Sequence, residues 1–126
     1  MKFVIDTNIL IDKLRGGEKF DLFLEKLDKD SELYLPSIVF FELFSGISSK
    51  KEDITNYILS LKKLFHLVDM TLEIAKRAGE INRDMAENLE APDYIIAATA
   101  IEIGAQVVTL NKKHFSQIPQ VVVCSF

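Results

Sequence analysis

The sequence predicts an α/β protein whose parallel sheet is covered on both faces by helices. Three observations predict it. Phe3-Val4-Ile5 is a short apolar run rich in β-branched residues, the pattern of a strand buried on both faces. Similar short runs recur along the chain and alternate with amphipathic stretches at helical spacing, the signature of βαβ units. A chain of 126 residues is expected to be one domain, spanning 1–126, with no repeats, low-complexity tracts or linkers.

The elements follow in order. Phe3-Val4-Ile5 ends abruptly in Asp6-Thr7-Asn8, three polar side chains in a row. Ligands of open α/β sheets bind beyond the carboxyl ends of the strands, which makes Asp6 a candidate site residue. The same three residues also suit the cap of the next helix, and this stretch alone does not separate the two roles. Ile9–Leu14 reads as a short helix stopped by Gly16-Gly17. Phe20, Phe23, Leu24 and Leu27 recur at helical spacing. A second strand, Glu32–Leu35, ends at Pro36-Ser37, a helix start, and Ile38–Phe44 follows as an apolar helix. Ser45–Lys51 reads as a loop. Ile54, Ile58, Leu61, Leu64 and Phe65 mark another amphipathic helix, and Leu67-Val68 is a third strand candidate closing at Asp69. Thr71 suits the cap of a longer helix through Met85. Pro92-Asp93 opens the most apolar helix, Tyr94–Ile103, which Gly104 terminates. Gln106–Leu110 and Val121–Cys124 are the fourth and fifth strand candidates.

Composition narrows the function classes. With 48% hydrophobic and 27% charged residues, the chain is globular and not disordered. A net charge of −4 argues against binding nucleic acid by bulk electrostatics, yet leaves room for an enzyme that acts on nucleic acid through a bound cation. The single cysteine, Cys124, cannot form an internal disulfide and reads as a small apolar strand residue in a reducing compartment. Asp6 interrupts any leader-like start, and no apolar run approaches the roughly 18 residues of a membrane helix. A cytoplasmic location is expected.

Three carboxylates stand in apolar company. Glu42 lies within Ile38–Phe44, where every other residue is apolar, so the helix is expected to be buried nearly all round. An unpaired buried carboxylate costs several kcal/mol or is pushed to a higher pKa, so Glu42 needs either a salt bridge or a role. Asp93 opens a core-like helix, where it suits the helix dipole or a site equally well. If Asp6, Glu42 and Asp93 converge, each pair about 4 Å apart repels by roughly 4 kcal/mol at an effective dielectric near 20. No Lys or Arg occurs within three residues of Glu42 or Asp93, so the counter-charge comes from elsewhere. Mg²⁺ fits, because it prefers oxygen ligands, keeps several waters and binds through a few carboxylates. Zinc fits poorly, since two His and one Cys show no ligand spacing.

Four segments together resemble a PIN domain: Asp6-Thr7-Asn8, Ser37–Leu43 with Glu42, Pro92–Ala100 with Asp93, and Val108–Phe115. The similarity is greatest to the VapC-type toxins of prokaryotic toxin–antitoxin pairs and spans essentially the whole chain. It implies a three-layer α/β/α sandwich around a central parallel sheet of four to five strands. It implies a Mg²⁺- or Mn²⁺-dependent endoribonuclease acting on RNA, with metal-binding roles for Asp6, Glu42 and Asp93 and a supporting polar role for Thr7 or Asn8. It further implies a homodimer and a small antitoxin protein as partner. Many members carry a fourth acid in the last segment; here Asn111 and His114 stand there, which leaves a second metal open and gives Asn111 the water-positioning role. Phe20–Leu27 and Ile38–Phe44 are the expected contact helices.

Other readings share the fold class. A phospho-receiver domain with Asp69 as phosphoacceptor wants paired acids after the first strand, and Thr7-Asn8 follow Asp6 instead. A haloacid-dehalogenase-like phosphatase wants a second Asp at position 8, which is Asn. A PIN-like module without catalysis, binding RNA or protein, would not need the intact trio. Phe40, Phe41 and Phe44 read as core or as an oligomer surface, Glu102 faces away from the site, and Lys112-Lys113 lie beside it within reach of RNA.

Overall fold

A computed structural model describes residues 1–85 and 89–126. Its elements run β1 (Lys2–Ile5), α1 (Thr7–Leu14), α2 (Lys19–Glu25), β2 (Glu32–Pro36), α3 (Ser37–Ser45), α4 (Glu52–Ser60), β3 (His66–Val68), α5 (Leu72–Asp84), α6 (Ala91–Ile103), β4 (Gln106–Val108) and α7 (Lys112–Phe115). Two 3₁₀ turns, Ile47–Lys50 and Leu61–Lys63, flank α4.

The four strands form one parallel sheet in the order β3-β2-β1-β4. The register sets Phe3 beside Leu33 and Val4 beside Val107. Phe3, Val4 and Ile5 point alternately to the two faces and all are buried, so both faces are covered, as the apolar run predicts. Phe3 meets Phe23 of α2 edge to face at 5.3 Å between ring centroids. The main core gathers β1, β2 and β4 with α1, α2, α3, α4 and α6, and a smaller cluster of Ile74, Ala78, Tyr94 and Ala98 joins α5 to α6. β1 has β2 on one side and β4 on the other, so the sheet order reverses at β1. The crevice beyond the ends of β1 and β4 is therefore the expected ligand position of an open α/β sheet.

Several boundaries differ from the sequence reading. Val121–Cys124 is not a fifth strand: its one bridge joins Val123 to Val107, flanked by Val107 N–H to Val122 O and Cys124 N–H to Val107 O, both 2.8 Å. Gln120 precedes this segment with φ 71°, a left-handed turn that brings the chain alongside β4 for a single contact. Leu110 lies beyond β4, because the loop there turns to bond Asn8. Helix α1 starts two residues earlier than the apolar run, at Thr7. The amphipathic stretch Ile54–Phe65 is a helix only to Ser60, then a 3₁₀ turn; most of Ser45–Lys51 is likewise a 3₁₀ turn. Helix α3 is not buried all round. Its Val39–Leu43 stripe faces the core, whereas Phe41 is 64% and Phe44 37% exposed, because its apolar residues outnumber its core-facing positions. Thr71 caps α5 through its hydroxyl, which accepts from Ile74 N–H at 3.2 Å. No helix among the described residues is long and apolar enough to cross a membrane.

Candidate active site

The site is built at the carboxyl ends of β1 and β4, the N-termini of α1 and α6, and the second half of α3. Asp6 directly follows β1 and is the N-cap of α1, so the capping and site readings describe the same residue. It is 4% exposed, and both carboxylate oxygens accept hydrogen bonds: Oδ1 from Thr7 N–H at 2.7 Å and Oδ2 from the Thr109 hydroxyl at 2.7 Å. Its own N–H continues the ladder to Val108 O at 2.9 Å, which fixes Asp6 to the end of β4.

Glu42 comes from the second half of α3, next to the exposed Phe41, and is half-buried. Its Oε1 accepts from the Thr7 hydroxyl at 2.6 Å, so Thr7 bridges the first two acids, donating its amide to Asp6 and its hydroxyl to Glu42. Asp93 sits in the first turn of α6, where its Oδ2 accepts from Glu90 N–H at 3.3 Å while Glu90 bonds the Asp93 N–H in return. Pro92 beside it needs no amide partner in this first turn.

The three acids feel one another's charge. Burial raises the Asp6 carboxyl from its ordinary 3.8 to about 6; the Thr109 hydroxyl pulls against this, Asp93 adds repulsion, the Thr7 amide pulls back and Glu42 adds further repulsion. The Glu42 carboxyl is raised by burial, eased by Thr7, and raised again by Asp93 and Glu90. Asp93 is raised by burial, eased by the Glu90 amide, raised by the Glu90 charge and lowered by His114. The structure thus brings together the three acids picked out as interruptions of apolar segments. The ion pairs among the described residues are Lys13–Asp21, Lys76–Glu80, Arg77–Glu102 and Arg83–Asp84, none of which involves the trio. A salt bridge is therefore not what accounts for Glu42.

Among the described residues, no group of three or more His, Cys, Asp or Glu side chains is already drawn together closely enough to hold a metal ion. The chemistry of the donor set still suits a hard divalent cation: three mutually repelling carboxylates, no Lys or Arg paired with them among the described residues, and Asp6 with both oxygens held as acceptors. Mg²⁺ keeps several of its waters and needs only one or two carboxylates directly, so an open arrangement is compatible with it.

The remaining candidates fall around this centre. Asn8 spans to the loop after β4, accepting from Leu110 N–H at 3.2 Å and donating to the Thr109 hydroxyl at 3.4 Å. Asn111 caps α7, donates its N–H to the Thr109 hydroxyl at 2.9 Å and pairs through its side chain with His114 Nδ1. His114 lies close enough to Asp93 to offset part of its charge, so it belongs to the site and is not a remote surface group. Lys112 lies 4.5 Å from the Phe126 ring centroid, a cation–π contact that occupies it, whereas Lys113 is exposed. Glu102 faces away and pairs with Arg77 at 2.7 Å, as its helical phase requires. Asp69 is exposed at the end of β3.

Two residues escaped the sequence reading. Thr109 is fully buried and joins Asp6, Asn8 and Asn111; it lies inside the last motif, but a Thr ending a strand carries no signal of its own. Glu90 acts on both Glu42 and Asp93; the pattern Glu90-Ala91-Pro92-Asp93, two acids three apart at a helix start, was the available sign.

Comparison with known proteins agrees with this geometry. The PIN-domain family profile matches residues 3–121. The ribonuclease VapC19 of Mycobacterium tuberculosis is 32% identical over 92% of this chain and 94% of its own length. A ribonuclease VapC of Rickettsia bellii is 29% identical over 98% of this chain and 95% of its own. Among solved structures, VapBC2 from Rickettsia felis bound to a DNA fragment from its promoter superposes with a TM-score of 0.83 at 26% identity, covering 100% of this chain and 99% of that one. With its sheet order, its acidic centre and these relatives in agreement, this chain belongs to the PIN-domain family, on its VapC branch.

Proposed function

We propose that the protein is a Mg²⁺-dependent endoribonuclease, with Mn²⁺ as substitute, and the toxin of a toxin–antitoxin pair. The observation that carries this reading is the convergence of Asp6, Glu42 and Asp93 at the sheet's reversal point with no lysine or arginine paired to them among the described residues. Relatives named ribonuclease VapC and the VapBC complex support the substrate class and the partner.

Asp6, Glu42 and Asp93 would hold the cation, which when bound supplies an acidified water and a counter-charge for the phosphoryl oxygens. The chain's own contribution is orientation. Thr7 fixes Asp6 through its amide and Glu42 through its hydroxyl, so the two carboxylates keep one relative placement. The Glu90 N–H aims Asp93 from the first turn of α6. Asn111, held by His114, would orient the attacking water. Lys113 is free to meet the RNA backbone, a contact that positions without reading sequence. Exposed Phe41, Phe44 and Ile47, the last at 83%, give α3 and the following turn an apolar surface for the second copy of a homodimer or for the antitoxin.

The test is incubation of purified protein with structured RNA in Mg²⁺, in Mn²⁺ and in EDTA, beside Asp93→Asn purified identically. Metal-dependent cutting that the variant lacks is the expected result. Cutting that survives EDTA or the substitution would overturn the reading. A folded protein that neither cuts nor binds Mn²⁺ would favour the alternative of a non-catalytic binding module.

A further inference from the structure

Thr109 is fully buried at the end of β4, and its hydroxyl has no freedom left. The oxygen accepts from Asn111 N–H at 2.9 Å and from Asn8 Nδ2 at 3.4 Å, which engages both lone pairs. The orientation of the Asn8 amide is itself set, because its Oδ1 accepts from Leu110 N–H at 3.2 Å. One direction remains for the hydroxyl proton, and it is donated to Asp6 Oδ2 at 2.7 Å. With Thr7 N–H on Oδ1, the Asp6 carboxylate is gripped at both oxygens and cannot rotate.

We propose that Thr109 is a positioning residue for the divalent cation. Its committed proton presents Asp6 in one fixed orientation, and its two accepted bonds tie Asn8 and Asn111 to that carboxylate as a single unit. Through Thr109 the segment after β4 is thus tied directly to the Asp6 carboxylate. The proposal rests on the metal-dependent reading of the site. Partners one bond removed from a metal ligand orient it, and their loss characteristically weakens metal affinity or activity by about 10–100-fold.

The full-length chain is prepared as wild type, Thr109→Ser, Thr109→Ala and Thr109→Val. Each is titrated with Mn²⁺ by calorimetry and assayed on RNA, with melting in EDTA as the folding control. Ser and Ala differ by the hydroxyl alone, so their comparison stands even if the Val variant fails to fold. The expected result is Mn²⁺ binding weakened about tenfold or more in Ala, with kcat reduced more than KM, and largely restored in Ser. Ala binding Mn²⁺ as tightly as wild type would overturn the proposal. So would Ser binding as weakly as Ala, because the methyl group and not the hydroxyl would then matter. A folded wild type that binds no Mn²⁺ would overturn the metal-dependent reading beneath it, an outcome distinct from the other two.

Discussion

Replacing Asp6 by Asn should stabilise the metal-free protein at neutral pH while abolishing its activity. Burial holds the Asp6 carboxyl at about 6 against an ordinary 3.8, so the folded state binds this proton more tightly than the unfolded state does. For this group stability is greatest below the unfolded value, falls as pH rises through the window from 3.8 to about 6, and is level above it. At about 1.4 kcal/mol per unit, the charged carboxylate destabilises the fold by about 3 kcal/mol at pH 7.5. Asn removes that charge and keeps an acceptor for Thr7 N–H, but its amide cannot accept the Thr109 proton. Leaving that buried proton without an acceptor costs about 1–3 kcal/mol. The net gain is at most about 2 kcal/mol, which raises the Tm of a domain this size by up to several degrees. Urea unfolding of both proteins in EDTA at pH 7.5 and at pH 4.5 measures it. The variant should be the more stable at pH 7.5 and lose that advantage at pH 4.5, and added Mn²⁺ should stabilise only the wild type. A variant less stable than wild type at pH 7.5, or a difference that does not move with pH, would refute the reasoning.

Other perturbations probe the frame around the site. Phe23→Ala empties a position that is 2% exposed and packed edge to face on Phe3 and Phe126, and should lower stability by about 3–5 kcal/mol in urea unfolding. Gly104 ends α6 at φ 71°, so Gly104→Ala should lower stability by about 1 kcal/mol, read as a drop of a few degrees in Tm, with cleavage retained. Phe41 is 64% exposed on α3; Phe41→Asp should shift the protein toward monomer in analytical ultracentrifugation or abolish antitoxin binding, without changing the fold seen by circular dichroism.

The sheet and the three acids were legible because each leaves a local mark. Phe3-Val4-Ile5 is apolar without alternation, which only a strand covered on both faces requires, and the structure covers both. Asp6, Glu42 and Asp93 each break an apolar stretch, and burial is what makes such breaks expensive enough to read. The fifth strand misled because Val121–Cys124 has strand composition, whereas its pairing is decided by the left-handed turn at Gln120 and the edge of β4. Helix α3 misled similarly: its composition speaks of burial, but only the Val39–Leu43 stripe has a core to face. Thr109 was invisible because its importance lies in three partners, Asp6, Asn8 and Asn111, two of them about a hundred residues away in sequence.

The central claim is that these three carboxylates share one cation. Crystals soaked in Mn²⁺ and measured at the manganese absorption edge test it most directly. The expected result is an anomalous peak bounded by Asp6, Glu42 and Asp93 that is missing from Asp6→Asn crystals. An empty centre in well-ordered wild-type crystals, with manganese bound elsewhere or nowhere, would contradict it.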